Sequence, residues 1–306
     1  MRIAIIGTGG VGGFFGIRLA EAGNDVAFLA RGKHLAAMRE KGLSLIGPKG
    51  DTHLTDVTAS DSIADLGPID IALFCVKLYD TEDVGKELGP ALSDTGYVVS
   101  LQNGVEAAER LEPILGKNRV CVGNAFMSAK IAEPGIVRYT SDMSTMEIGE
   151  IAGGPSPRLN DFADRCNASG FTALVADDIE AKLWSKFVLL STNAAITTAF
   201  RQPCGPLYRN QEIRDLARDA MAEVVAVGQA KGVKIDNSAI ERAMGLLDSF
   251  PDDMYASMYH DLARGGRLEV GSLSGTVYRL GKELGVPTPI HRTLYLSLLP
   301  YENGTP

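Results

Sequence analysis

A short apolar run, Ile3-Ala4-Ile5-Ile6, ends in Gly7-x-Gly9-x-x-Gly12 and passes directly into a helical pattern. A strand, a glycine-rich turn and a helix in that order constrain the fold more than any other stretch of the chain. Gly7 permits the tight turn after the strand. Gly9 removes a Cβ so that backbone can approach a pyrophosphate. Gly12 lets the helix pack close to the strand. The helix that follows aims its first N–H groups and the positive end of its dipole at the same place. The expectation is a dinucleotide-binding crossover at the start of a parallel sheet.

The next elements extend this reading. Val11–Ala22 reads as the first helix, stopped by Gly23-Asn24, and Asp25–Ala30 as the second strand. Arg31 follows, 19 residues beyond Gly12. An acidic residue near this point would hold a ribose 2′-hydroxyl. An arginine fork instead suits a 2′-phosphate, which points to NADP(H) over NAD(H). A charge-assisted contact of about 1.5–3 kcal/mol would give roughly a ten- to hundredfold preference. A solvated surface arginine is the other reading of Arg31, with Lys33 close by.

Residues 33–68 read as a short helix followed by extended segments at Gly42–Ile46 and His53–Ser60. Ile69–Val76 is a continuous apolar run, as a strand covered on both faces should be, and it ends at Lys77. Tyr97–Leu101 is the next such strand and ends in Gln102-Asn103-Gly104. In a doubly wound sheet, ligands bind outside the carboxyl ends of the strands. Gly7, Arg31, Lys77 and Asn103 all stand at such ends, so all four can face one crevice. Taken singly, Lys77 could be a snorkelling strand-end lysine and Asn103-Gly104 a plain turn.

Val120–Ala125 and Gly135–Gly149 read as extended, Pro155–Ser169 as helical and Phe171–Val175 as a last strand. After Asp177 the strand signal stops. Residues 178–231 are helical in period, with a break at residues 202–206. Residues 237–301 add helices split by Pro251, Gly265-Gly266 and Pro287/Pro289. The expected fold class is α/β, with a Rossmann-like dinucleotide-binding domain over residues 1–176 and an all-helical domain over 177–306. A length of 306 residues suits two domains.

Composition excludes several classes. A formal charge of −8 argues against a nucleic-acid surface, which needs a basic face. The four cysteines, Cys75, Cys121, Cys166 and Cys204, form no C-x-x-C pair, and the four histidines show no metal-ligand spacing. No metal is expected. The first apolar run is too short for a signal peptide and no stretch approaches the ~20 apolar residues of a membrane helix. A cytoplasmic protein is expected.

In the second half, Lys182 and Lys186 flank Trp184, the single tryptophan, four residues apart on one helical face. That face turns to solvent or to a cleft. Ser257 and Glu269 lie twelve residues apart, and Glu269 is read as opening a helix with a small-residue face, Gly271, Ser272, Ser274 and Gly275.

With these motifs in place, the chain resembles the ketopantoate reductase (2-dehydropantoate 2-reductase) family over nearly its whole length. The motifs are Gly7-x-Gly9-x-x-Gly12, the strands ending in Arg31 and in Val76-Lys77, Gln102-Asn103-Gly104, Leu183-Trp184-x-Lys186, and the Ser257…Glu269 pair. The resemblance implies a Rossmann-like NADP domain, a helical domain and a 2-keto acid bound between them, reduced by NADPH. It implies that Lys186 is the general acid, Glu269 orients the lysine or the substrate, Ser257 and Asn103 contact the substrate, and Lys77 and Asn103 lie near the cofactor. Gly7, Gly9, Gly12 and Arg31 match the cofactor site.

The chain departs from the family pattern at four positions. Leu190 and Ala194 stand where asparagines are usual, four and eight residues after Lys186; Asn193 is one position off. Cys204 replaces an asparagine between Pro203 and Gly205, and Met254 a polar amide. The resemblance implies reduction of 2-dehydropantoate to pantoate; with those amides missing, a less polar 2-keto acid is the alternative substrate. Two other readings stay open: a non-catalytic NADP(H)-binding sensor, and a dehydrogenase working in the oxidative direction. The helical domain could also pair with a second copy as a homodimer.

Overall fold

A computed structural model describes residues 1–140 and 142–304. Its first elements are β1 (Arg2–Ile6), α1 (Gly10–Glu21), β2 (Asp25–Leu29), α2 (Gly32–Lys41), β3 (Leu43–Ile46), β4 (Thr52–Leu54), β5 (Thr58–Ser60) and β6 (Ile69–Phe74). Then come α3 (Thr81–Leu88), β7 (Leu92–Ser100), α4 (Ala107–Leu115), β8 (Val120–Phe126), β9 (Ala129–Glu133), β10 (Ile136–Tyr139), β11 (Thr145–Glu150), α5 (Pro157–Ala168) and β12 (Thr172–Val175). Helices follow: α6 (Ile179–Phe200), α7 (Cys204–Tyr208), α8 (Gln211–Ala230), α9 (Ser238–Asp248), α10 (Ser257–Ala263), α11 (Ser274–Leu284) and α12 (Pro289–Leu298). The chain divides into two units, Met1–Ile179 and Glu180–Pro306.

The first unit is built on an eight-stranded sheet in the order β12-β11-β8-β7-β6-β1-β2-β5. From β5 to β8 every neighbouring pair is parallel, and only β11 against β8 is antiparallel. β1 and β6 are central and read as uninterrupted apolar runs because both faces of the sheet are covered. The chain leaves β1 toward β2 on one side and returns to β6 on the other. The strand order therefore reverses between β1 and β6, where a parallel sheet opens a ligand crevice.

A second sheet, β4-β3-β10-β9, covers the outer side of α1. Phe14 of α1 meets Tyr139 of β10 edge-to-face at 5.3 Å between centroids. Gly10 and Gly13 lie so close to Ala129 and Val137 that neither has room for a Cβ. α1 is thus held between two sheets. The extended segment expected over His53–Ser60 divides, since β4 joins the small sheet and β5 the large one. The expected strand start at Tyr97 lies inside β7, which begins at Leu92.

The second unit is helical. Trp184 is buried on α6 and packs edge-on against Phe187, with centroids 5.8 Å apart. α8 is held against Trp184 at Gly228, where a Cβ would come within 2.9 Å of the indole. Glu223 of α8 accepts from the N–H groups of Ile290 and His291 at 2.8 and 2.9 Å, a carboxylate at the start of α12 where the dipole favours it. Buried His291 spans Ser274 of α11 and the Ala220 carbonyl of α8, both at 3.2 Å. Burial pushes the His291 imidazole down to about 4.

Candidate functional site

The glycine-rich turn has the geometry its residue types call for. Gly7 sits at φ +103°, a conformation that L side chains rarely adopt, and a Cβ there would press within 2.9 Å of the Val76 nitrogen. Gly12 faces Gly7 so closely that a Cβ would collide with the Gly7 carbonyl and come within 2.9 Å of Ile5. Gly9 differs. It stands at the N-cap of α1, and a Cβ there would meet nothing within 4 Å. The backbone at Gly9 therefore borders open space, the cradle a pyrophosphate needs.

The start of α1 is not capped by any side chain of the protein, and no acid stands in its first turn. Side chains cap α5 and α8, through Ser156 and Asn210, whereas α3, α4, α7, α9, α10, α11 and α12 are uncapped like α1. The amides of a helix's first turn have no carbonyl partner within the helix. At α1 they add to the positive dipole end and suit an anion. α2 is uncapped in the same way, with Arg31 as its N-cap residue and exposed Lys33 just inside.

A chain of contacts joins the loops at the carboxyl edge of β2, β1, β6 and β7. Thr8, inside the glycine motif, donates its hydroxyl and its N–H to the Leu29 carbonyl at the end of β2, each at 2.9 Å. Arg31 extends from that end and pairs with Asp80 at 3.4 Å. The Asp80 N–H donates to the Lys77 carbonyl at 2.9 Å, closing the turn after β6. Gln102, after β7, donates its amide to the Val76 carbonyl at 3.1 Å and to the Thr81 hydroxyl at 2.8 Å. Asn103 follows Gln102, and Gly104 turns the chain at φ +95°. So Gly7, Arg31, Lys77 and Asn103 lie on loops tied to one another, and Gly12 lies in the first turn of α1 beside Gly7. Lys77 stands three residues past the end of β6, not at it, because the strand closes at Phe74.

Thr8, Asp80 and Gln102 are the parts that pattern reading did not assign. Gln102 was visible within Gln102-Asn103-Gly104, but its role depends on a partner 26 residues upstream. His34 on α2 accepts from the Gly135 N–H through Nδ1 at 3.0 Å, and burial lowers its pKa. It ties α2 to the small sheet as a neutral imidazole. Desolvation pushes the Cys75 thiol, beside Gly12, up to about 12, so it stays protonated.

In the helical unit, Lys186 is half-buried on α6 while Lys182, one turn earlier, is exposed. Ser257 is exposed at the first position of α10. Glu269 is buried between α10 and α11. It does not open an α-helix. It precedes a single 3₁₀ turn, Val270–Ser272, and α11 begins only at Ser274, because Leu273 at φ −107° and ψ −97° interrupts the helical path. The small residues expected to line a face are used for packing, with Gly275 against Tyr295 and Ser274 on His291.

The four departures from the asparagine-rich pattern have concrete surroundings. Ala194 is buried and Leu190 half-buried on α6. The carbonyl oxygen of the Asn193 amide accepts from the Tyr208 hydroxyl at 2.8 Å and from the Cys204 thiol at 3.5 Å. The Cys204 N–H donates to the Met254 carbonyl at 2.8 Å. Asn193, Cys204, Tyr208 and Met254 thus form one cluster in which the displaced amide is bound to the protein itself.

Comparison with known proteins bears on both units. A family model described as "Ketopantoate reductase PanE/ApbA" matches residues 3–153, and one described as "Ketopantoate reductase PanE/ApbA C terminal" matches residues 178–302. The 2-dehydropantoate 2-reductase of Archaeoglobus fulgidus is 32% identical over 303 residues, covering 99% of this chain and 98% of its own. The 2-dehydropantoate 2-reductase of Halobacterium salinarum is 30% identical, covering 96% of each chain. Among solved structures, a ketopantoate reductase of the same family from Ralstonia eutropha superposes with a TM-score of 0.92 at 32% identity, over 99% of this chain and 98% of that one.

Proposed function

Because this chain belongs to the ketopantoate reductase family and is an NADP(H)-dependent oxidoreductase, we propose that it reduces 2-dehydropantoate to pantoate, a step of pantothenate biosynthesis in the cytoplasm. The observation that carries the reading is the tied set of loops at the carboxyl edge of β1, β2, β6 and β7, with an open cradle at Gly9 and an uncapped helix behind it. No described helix is long and apolar enough to cross a membrane.

The residues present fit the cofactor. Gly7, Gly9 and Gly12 with the start of α1 would hold the pyrophosphate, Arg31 the 2′-phosphate, and Lys77 and Asn103 the region near the ribose and the substrate. When bound, NADPH supplies a hydride to the carbonyl carbon of the keto acid. Lys186 gives its ammonium proton to the carbonyl oxygen, so that carbonyl plus hydride plus proton yields the 2-hydroxyl group. The same ammonium stabilises negative charge developing on that oxygen before the proton moves. Lys186 is left as a neutral amine and regains its proton from water. Glu269 orients the lysine or the substrate, and Ser257 and Asn103 hold the substrate carboxylate and its neighbouring groups. A homodimer completes the proposal, checked by sedimentation; Leu284 and Leu296 of the helical unit are 40% and 45% exposed.

One observation favours a second reading, a less polar 2-keto acid. Leu190 and Ala194 offer no hydrogen bond, and the Asn193 carbonyl oxygen is engaged by Tyr208 and Cys204. A site that cannot hydrogen-bond a distal hydroxyl discriminates weakly in its favour. The test is a panel of 2-keto acids with graded side-chain polarity, 2-dehydropantoate included, followed by NADPH absorbance. A clear maximum at 2-dehydropantoate supports the first reading. A maximum at a branched or aromatic acid supports the second. No turnover of any member overturns both.

A further inference from the structure

The loop after β6 carries an acid that the cofactor reading does not use. Asp80 points its carboxylate at the Arg31 guanidinium, 3.4 Å away, across a sequence separation of 49 residues. Arg31 is otherwise out in solvent, its side chain 83% exposed, whereas Asp80 is 28% exposed. The next acids along the chain, in the first turn of α3, are engaged elsewhere. Glu82 is gripped by Arg110 through two bonds of 2.6 Å, and Asp83 lies 3.7 Å from Lys86. Asp80 caps nothing, since its side chain makes no bond to the start of α3.

An unscreened arginine beside an uncapped helix start would be a strong 2′-phosphate site. Arg31 with Asp80 is a neutral pair, and in the first turn of α2 exposed Lys33 adds positive charge, Arg39 and Lys41 standing in the last turn. A 2′-phosphate carries about −1.5 to −2 charge and must share the guanidinium with the carboxylate. A ribose 2′-hydroxyl carries none and can donate to a carboxylate, which is how acidic residues select NAD in such sheets. Here the acid comes from the turn after β6 rather than from the end of β2.

We propose that Asp80 sets the cofactor preference of this enzyme, narrowing the margin of NADPH over NADH so that both serve as reductants. The proposal rests on the reading of Arg31 as the 2′-phosphate residue. Asp80 is a specificity-determining residue under this proposal: it lowers affinity for the phosphorylated cofactor and leaves the rest of the dinucleotide site alone.

The experiment is calorimetric titration of the protein with NADPH and with NADH, without substrate, for the wild type, Asp80→Asn and Arg31→Ala. The wild type is expected to bind NADPH less than about tenfold tighter than NADH. One negative charge removed a few ångströms from a dianion in a water-like dielectric corresponds to about a fivefold to fiftyfold gain. Asp80→Asn is therefore expected to tighten NADPH by that factor and to leave NADH within about twofold, because an asparagine amide oxygen still accepts from a 2′-hydroxyl, and retained NADH binding also certifies the fold. Arg31→Ala is expected to weaken NADPH alone. An Asp80→Asn variant that binds NADPH no better, or more weakly, overturns the proposal, the weaker case meaning that Asp80 only steadies Arg31. An Arg31→Ala variant that binds both cofactors like the wild type overturns the underlying reading of Arg31 and this proposal with it.

Discussion

Two glycines of one motif should fail in opposite ways when given a methyl group. At Gly12 an added Cβ collides with the Gly7 carbonyl and comes within 2.9 Å of Ile5 Cγ2 and 3.2 Å of Cys75 Cβ. These are a backbone atom, a side chain of β1 and the first side chain past β6, none of which can swing aside. Overpacking of this kind costs about 1–3 kcal/mol. At about 2–4 °C per kcal/mol for a domain of this size, Gly12→Ala should lower Tm by roughly 2–12 °C. At Gly9 the same methyl meets no protein atom within 4 Å, and the backbone, at φ −89°, is open to any residue. Replacing an N-cap glycine with alanine costs well under about 1–2 kcal/mol. Gly9→Ala should therefore fold with Tm within a few degrees of wild type yet obstruct the approach of the pyrophosphate. Losing one charge-assisted contact of about 1.5–3 kcal/mol weakens NADPH roughly ten- to hundredfold. Circular dichroism melts and NADPH fluorescence titrations measure the two effects separately. A Gly9→Ala protein that binds NADPH as tightly as wild type would refute the reasoning, as would one destabilised as much as Gly12→Ala.

Lys186→Ala should lower kcat by about 10²–10⁴ while NADPH still binds, by single-turnover and titration measurements; near-wild-type turnover removes Lys186 from the acid role. Arg31→Ala should raise the KM for NADPH about ten- to hundredfold and leave that for NADH nearly unchanged, and an equal effect on both would count against its place at the 2′-phosphate. His291 gives a pH dependence. Its folded pKa, about 4, lies below the unfolded value of 6.5, so the unfolded chain takes up the proton first. The stability contributed by neutral His291 is complete above pH 6.5 and is lost as pH falls toward 4, by up to about 3 kcal/mol. Burial raises the Glu223 pKa, which has the opposite slope: its contribution is lost as pH rises above 4.5. Melts of wild type and His291→Gln between pH 7 and 4.5 separate them, and a variant with the same slope as wild type would contradict the assignment.

The candidate cofactor loops were legible in the sequence because their signals are local. A strand, three spaced glycines and a helix lie within twenty residues, and the continuous apolar runs into Lys77 and Asn103 report strands covered on both faces. Their meeting at one edge followed from the parallel order β7-β6-β1-β2. What escaped was non-local. β9 is mostly exposed and only five residues long, and the small sheet pairs β10 with β3 across some ninety residues, so no periodic pattern announces either. Asp80 reads as an ordinary turn acid until the fold brings Arg31 to it. The small residues after Glu269 suggested a helical face, whereas Leu273 ends a 3₁₀ turn and Gly275 packs on Tyr295. Leu190 and Cys204 could be seen as departures from a pattern, but the binding of Asn193 to Tyr208 needed coordinates.

Under the proposed function this chain moves a hydride from NADPH to the carbonyl carbon of a 2-keto acid. The most direct measurement uses NADPH deuterated at the transferred position, with the best substrate of the keto-acid panel, and mass spectrometry of the product. The expected product is a 2-hydroxy acid carrying a single deuterium at C2. A product without the label, or NADPH bound but never consumed with any keto acid, would contradict the proposal.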